Sequence, residues 1–189
     1  MKHLSDLRRT KRQQRQLISQ SELSLAGDFI SQTIAELSQF TTAKNIGLYW
    51  PIDHEICTQT LISLCLKQDK AIYLPKTIPD SNTLLFVRYH ADSVMGLDKH
   101  NIPCPQQCED SVIANHLDLA IIPLLACNEK QYRLGYGGGF YDRTFSGQTN
   151  TYLIGVGYDF QLDSRFKEAQ HDLQVDQLIL AQTAYAKRW

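Results

Sequence analysis

Residues 117–123, Leu-Asp-Leu-Ala-Ile-Ile-Pro, form an almost uninterrupted apolar run. A strand with one wet face alternates apolar and polar side chains; a near-continuous run suits a strand buried on both faces. A chain that contains such a strand must cover both sides of its sheet, which points to helices layered over parallel strands. The neighbouring patterns agree. Residues 45–51 (NIGLYWP) read as a strand bounded by proline, and 58–70 as a helix with Leu61, Leu64 and Cys65 on one face. Residues 71–75 (AIYLP) read as the next strand, completing a βαβ unit. Further strands are expected at 84–89, 152–158 and 177–180. Helices are expected at 4–18 and beyond Ser21, where Leu23, Ala26, Ile30, Ile34 and Leu37 repeat at helical spacing. Residues 91–116 are mostly polar, with Pro103 and Pro105, and read as an excursion of loops. The expected fold class is α/β: an open three-layer sandwich with a mostly parallel sheet and helices on both faces. It is expected to be a single α/β domain over 1–189, led by a basic N-terminal helical arm at 1–18.

A chain of 189 residues with 43% hydrophobic and 21% charged residues has enough apolar content for a core and is not of the disordered type. The formal net charge of −1 is unevenly spread. Residues 1–15 hold Lys2, Arg8, Arg9, Lys11, Arg12 and Arg15 against Asp6, a net +5, so the remainder carries −6. Arg8, Arg12 and Arg15 share one helical face, which suggests an anionic partner or a solvated surface. The longest apolar run, 119–127, has nine residues and contains Pro123, well short of the ~20 a membrane-spanning helix needs. The residues after the basic arm are too polar for a signal peptide, and five cysteines, an odd number, read as reduced thiols. A cytoplasmic protein without a membrane partner is expected.

Four of the ten glycines fall at 135–139, inside Tyr132-Arg133-Leu134-Gly135-Tyr136-Gly137-Gly138-Gly139-Phe140-Tyr141-Asp142-Arg143. Glycines let consecutive backbone N–H groups turn inward as an anion nest, and a helix beginning near Phe140 would add its N-terminal dipole. The segment follows the buried strand, and ligands of open α/β sheets bind beyond the strands' carboxyl ends. Arg133 can fork onto a phosphate, and Asp142 can hold a hard divalent cation. No glycine precedes a lysine, so there is no Walker A loop, and Phe140 breaks the dinucleotide fingerprint. By itself the segment reads either as a phosphate cradle or as a turn packed by aromatics.

The pattern resembles the 5-formyltetrahydrofolate cyclo-ligase family. It does so through the Arg8, Arg12, Arg15 helix, through Tyr49-Trp50-Pro51 with Glu55, and through Ile102-Pro103. The run 117–123, the 133–143 loop and His171-Asp172 with Val175-Asp176 complete the match. The resemblance implies an α/β fold of the sugar-phosphate isomerase and CoA-transferase type. It also implies an ATP- and Mg²⁺-dependent enzyme that makes 5,10-methenyltetrahydrofolate and releases ADP and phosphate. ATP would meet Lys2, Arg8 and Arg133, Leu134, Gly135, Tyr136, Gly137, Gly138, Gly139, Phe140 and Tyr141. The folate would meet Trp50 and Glu55 together with Tyr136–Phe140. Arg133 and Asp142 would be the catalytic pair. Asp142 would ligate magnesium, with Asp172 or Glu168 as the second acid. The position four before Arg8, basic in the family, is Leu4 here, and Lys2 would replace it. Arg12 and Arg15 are expected at the surface. A monomer acting on small molecules, with no nucleic-acid partner, is expected. The competing readings are a sugar-phosphate or CoA-ester enzyme on a similar fold, which would not need ATP, and an RNA-binding module led by the basic arm.

Overall fold

A computed structural model describes residues 2–147 and 150–183, with backbone alone for Lys2 and His3. Helices α1 (Lys2–Gln16), α2 (Gln20–Ala35) and α3 (Ser38–Thr42) precede strand β1 (Asn45–Gly47). Then come α4 (Gln59–Lys67), β2 (Ala71–Thr77), β3 (Leu84–Tyr89), β4 (Met95–Leu97), β5 (Pro103–Pro105) and β6 (Ser111–Val112). The remainder is β7 (Leu119–Pro123), β8 (Ala126–Cys127), β9 (Arg133–Leu134), α5 (Phe140–Thr144), β10 (Tyr152–Tyr158) and β11 (Gln177–Ala181). The main sheet has the order β11-β10-β7-β1-β2-β3-β6. The strands from β11 to β2 run parallel, and β3 and β6 add an antiparallel edge.

The apolar run at 117–123 sits in the middle of this sheet. Along β7, Leu119 and Ile121 join one core and Ala120 and Ile122 the other, as the two-residue repeat of a strand requires. The first core lies under α2, α3 and α4 and includes Ile30, Ile34, Ile46, Leu61 and Ile154. The second includes Phe86, Phe145, Leu153 and Val175. This second layer is lighter, made of α5, a 3-10 turn at Ala114–His116 and irregular chain. The expected α/β sandwich with a mostly parallel sheet is the observed one.

Local chemistry sets the ends of the elements. Ser19 caps α2 in a capping box: its side chain accepts from the Glu22 N–H, and Glu22 answers the Ser19 N–H. Strand β1 stops at Gly47, earlier than the expected 51. Leu48 makes one last bond, its N–H to the Tyr73 carbonyl at 2.9 Å. The chain then leaves the sheet as a loop pinned by side chains: Tyr49 donates to the Ile56 carbonyl and Thr58 donates to the Tyr49 carbonyl. The 91–116 excursion is not all loop, because β4 pairs with β5 and β6 extends the sheet edge.

Helix α1 docks through Leu7, which packs with Ala126, Leu134 and Phe166, and Leu4 lies against the same cluster. The position expected to be basic is therefore an apolar anchor. Beside it Lys11 and Asp163 form an ion pair at 3.0 Å, each side chain 5% exposed, and Arg165 adds a second cation to Asp163.

Candidate active site

Strand β1 lies between β2 and β7, so the chain leaves the middle of the sheet in opposite directions and opens a crevice at the strands' carboxyl ends. A cavity of about 640 Å³ lies at this point. The segment after β1 lines it with Tyr49, Trp50 and Glu55, β2 with Pro75 and Thr77, and β7 with Pro123. The glycine loop and α5 supply Gly135, Tyr136, Gly138 and Gly139 through Asp142, with Arg133 from β9. The segment from Asp98 to Ile102 closes the opposite wall. Sequence reasoning missed that wall. Its organiser is Asp98, whose carboxylate accepts from Thr77 Oγ1 at 2.6 Å and from the N–H groups of His100 and Ile102. These bonds hold its carboxyl below the usual range although burial opposes them. An Asp four residues before Ile102-Pro103 was the available signal.

The glycine loop has the backbone its composition suggested. Gly139 caps α5 at φ +66°, a left-handed conformation in which a side chain is strained. At Gly135 the need is room: a Cβ there would stand 2.6 Å from Arg133 Nη1. Arg133 itself is buried. Its Nη2 donates to Asp142 Oδ1 at 3.1 Å, its guanidinium lies 5.1 Å from the centre of the Tyr141 ring, and its Nε has no hydrogen-bond partner among the described residues. Burial lowers its pKa, with Asp142 offsetting that effect. Asp142 Oδ1 also accepts the Leu173 N–H, leaving Oδ2 as a donor for a hard cation.

The opposite half of the cavity is acidic and aromatic. Glu55 is buried, and its carboxyl is pushed up to about 7 by loss of water, against the opposing pull of Arg15. Its Oε2 accepts the Ile52 N–H at 3.1 Å and its Oε1 accepts the Tyr136 hydroxyl at 3.0 Å. Burial and the neighbouring Glu55 also raise Tyr49, Tyr136 and Tyr141, so all three phenols stay protonated.

Most expected site residues meet here: Trp50, Glu55, Arg133, Gly135, Tyr136, Gly138, Gly139, Phe140, Tyr141 and Asp142 all line the cavity. Arg8 reaches the loop from behind, its Nε donating to the Gly135 carbonyl at 2.8 Å. Gly137 lies next to Arg8 rather than on the wall. Leu134 turns its side chain into the cluster around Leu7, and its carbonyl accepts the Leu125 N–H at 2.8 Å, so it does not line the cavity. The side chain of Lys2 lies outside the described residues. Glu168 pairs with Lys130 and Asn128, and Asp172 closes a turn on the Ala169 N–H; neither lines the cavity.

One expectation about the arm needs correction, and another holds. Arg15 is not a surface residue: it is 1% exposed, donates to the Tyr136 hydroxyl, and lies 3.7 Å from Glu55. Arg12 is at the surface as expected, half in solvent, and it also lines the cavity, pairs with Asp53 and lies over the Tyr136 ring. Both follow from α1 docking with its cationic face inward, which composition alone does not reveal. Arg8, Lys11, Arg12 and Arg15 all bond to the body, and Arg9 pairs with Asp6 on its own helix.

An open α/β sheet whose crevice combines a glycine cradle, buried guanidinium groups, a carboxylate and aromatic walls defines an enzyme site for flat, anionic small molecules. Comparison with known proteins narrows the class. The 5-formyltetrahydrofolate cyclo-ligase family model matches residues 1–181. The Haemophilus influenzae 5-formyltetrahydrofolate cyclo-ligase is 40% identical over 134 residues, 70% of this chain and 72% of that protein. The Escherichia coli K12 enzyme is 29% identical over 172 residues, covering 89% and 94%. The structure superposes on Aquifex aeolicus 5,10-methenyltetrahydrofolate synthetase with a TM-score of 0.81, at 29% identity over 94% of this chain and 89% of that one. The Mycoplasma pneumoniae synthetase gives 0.74 at 27% identity, covering 93% and 97%. The chain belongs to the 5-formyltetrahydrofolate cyclo-ligase family of enzymes.

Proposed function

We propose that this chain, acting in the cytoplasm as a monomer of one α/β domain, uses ATP to close 5-formyltetrahydrofolate to 5,10-methenyltetrahydrofolate in the cavity above β1, β2 and β7. The observation that carries this reading is the shared cavity: Arg133, Asp142 and the glycine loop line it together with Trp50 and Glu55. Phosphate-type and pterin-type recognition therefore lie within reach of one another.

A formamide oxygen is a poor leaving group. It attacks the terminal phosphorus of ATP, the new O–P bond forms, and the bond from phosphorus to ADP breaks. The N10 amine then attacks the formyl carbon, phosphate departs with the formyl oxygen, and N10 loses its proton. These steps need two substrates aligned and growing negative charge stabilised, with no side-chain nucleophile. Arg133 supplies a fixed cation for the transferring phosphoryl group, and the backbone of Gly135–Gly139 supplies N–H donors. Arg8 holds the loop in place through Gly135. Trp50, Tyr136 and Phe140 offer flat apolar walls, and Glu55 accepts from pterin N–H groups.

The oxygen donors present suit magnesium carried in by the phosphates: one carboxylate with a spare oxygen, Asp142, is the minimum such an ion takes from a protein. No group of three acidic, His or Cys side chains that could hold a metal alone occurs among the described residues. Bound magnesium neutralises phosphate charge, and Asp142 would hold it, with Asp172 an acid near Arg133 rather than on the wall.

The test is the purified full chain with ATP, Mg²⁺ and 5-formyltetrahydrofolate. ADP and the methenyl product should appear in equal amounts. No methenyl product with any divalent cation would sink the assignment, and ADP release that ignores folate would make the protein an ATPase.

Glu55→Gln should raise the folate KM by about 10-fold or more while moving the ATP KM by about 2-fold or less, as loss of charged hydrogen bonds of roughly 1.5–3 kcal/mol predicts. An equal rise in both KM values would make Glu55 structural. The same variant tests its ionisation. With the folded pKa about 7 and the ordinary value 4.5, folded protein holds a proton that unfolded chain has lost. The Glu55 contribution therefore falls as pH rises from about 4.5 to about 7 and is flat above. A thermal-stability difference between wild type and Glu55→Gln that is independent of pH across this window would contradict a raised Glu55.

A further inference from the structure

We propose that Arg15 is a positioning residue that couples the two halves of the active site, through Tyr136 to Glu55, so that filling the nucleotide loop organises the folate subsite. The inference rests on the functional reading above and extends it to a residue that reading does not use.

Three elements distant in sequence meet at one hydroxyl. Tyr136 belongs to the glycine loop, Glu55 to the segment after β1, and Arg15 to the last turn of α1. The Tyr136 hydroxyl accepts from Arg15 Nη2 and donates to Glu55 Oε1 at 3.0 Å. A phenol that accepts on one side and donates on the other transmits orientation, because moving its ring moves both bonds. Arg15 also lies 5.5 Å from the centre of the Tyr136 ring, and Arg12 lies 5.4 Å from it, so the ring is held by cations as well.

The position of Arg15 is costly for the fold alone. Its side chain is 1% exposed, and its Nε and Nη1 have no hydrogen-bond partner among the described residues. Buried unpaired donors are destabilising. A purely structural arginine would be expected to satisfy them, and here Nη1 stops 3.7 Å short of Glu55. Glu55 in turn needs a cation nearby: water exclusion favours its neutral form, and Arg15 is the largest influence opposing that. A neutral Glu55 would lose the acceptor strength that pterin N–H groups require. The glycine loop carries Tyr136, so ligands that order the loop also order the donor to Glu55. By linkage the effect must run both ways, with folate tightening nucleotide by the same factor.

The test measures dissociation constants for 5-formyltetrahydrofolate with and without a non-hydrolysable ATP analogue, in wild type, Arg15→Ala, Arg15→Lys and Tyr136→Phe. The quantity read is the ratio within each protein, so changes in either affinity alone cancel. Wild type should show nucleotide tightening folate by about 5-fold or more. The ratio should fall toward 1 in Arg15→Ala and Tyr136→Phe, with partial recovery in Arg15→Lys. Unchanged ratios in the variants, or no enhancement in wild type, would overturn the proposal. If Arg15→Ala fails to fold, Tyr136→Phe decides, since it removes only the hydroxyl that joins Arg15 to Glu55 and keeps the ring and both charged side chains. Failure of wild type to bind either ligand would instead defeat the functional reading beneath it.

Discussion

Arg133→Ala is expected to lower kcat by about 10²- to 10³-fold, the usual cost of removing one preorganised group that faces developing charge. Arg133 is 3% exposed and fixed by Asp142 on one side and the Tyr141 face on the other, so its charge needs no reorganisation when phosphoryl transfer begins. Its unpartnered Nε keeps a donor in reserve. Arg133→Lys should recover little, because an ammonium cannot reproduce the planar fork. The variant also leaves Asp142 without its cation, but that carboxylate is 17% exposed and keeps the Leu173 N–H, so the stability loss should be smaller than for a sealed pair. Steady-state kinetics and thermal unfolding together separate the two effects. A fall in kcat of less than tenfold with an unchanged ATP KM would remove Arg133 from the reaction.

The largest effect on stability should come from Asp163→Ala. This change strips the carboxylate from Lys11, whose side chain is 5% exposed, leaving an ammonium bonded, among the described residues, to the Phe160 carbonyl. Removing one partner of a buried ion pair costs about 3–5 kcal/mol. For a chain of this size that is a fall in Tm of roughly 10 °C. Lys11→Met together with Asp163→Ala should restore much of the loss, because both charges then vanish. Arg165 and Lys11 hold the Asp163 carboxyl well below the usual carboxylate range. Its contribution is thus complete above its ordinary pKa of 3.8 and is lost as pH falls toward the lower folded value, so wild type and Asp163→Ala should converge in stability in strong acid. The pair joins α1 to the segment beyond β10, so its loss should also weaken nucleotide binding through Arg8. A Tm change below 2 °C would show that the pair is solvated.

The parallel sheet was legible because its strands carry their burial in their composition. β10 spans the expected run 152–158, and β7 reads as doubly buried because Leu119 to Ile122 are all apolar, and in the fold they feed two cores in alternation. The glycine loop was legible for a related reason: conformational freedom and small volume are properties of the residue itself, and Gly139 and Gly135 use them directly. The partners of charged side chains were not legible. Arg15 and Arg12 look alike in a helical stretch of good helix formers, and only docking of α1 decides that one is sealed against Tyr136 and the other half in water.

From residue types and their spacing alone came the layered α/β architecture, the doubly covered central strand, the place of the glycine-rich loop and, by resemblance, the family. Tertiary structure alone decided which way the basic arm faces, that Asp98 folds the far wall, that Leu134 turns inward while Arg133 turns to the cavity, and that Glu55, Tyr136 and Arg15 meet. The physical reason is range. Burial and backbone freedom are written into each short segment, whereas a hydrogen bond or ion pair between residues 15, 55 and 136 exists only after the chain has closed loops that reach 121 residues between Arg15 and Tyr136.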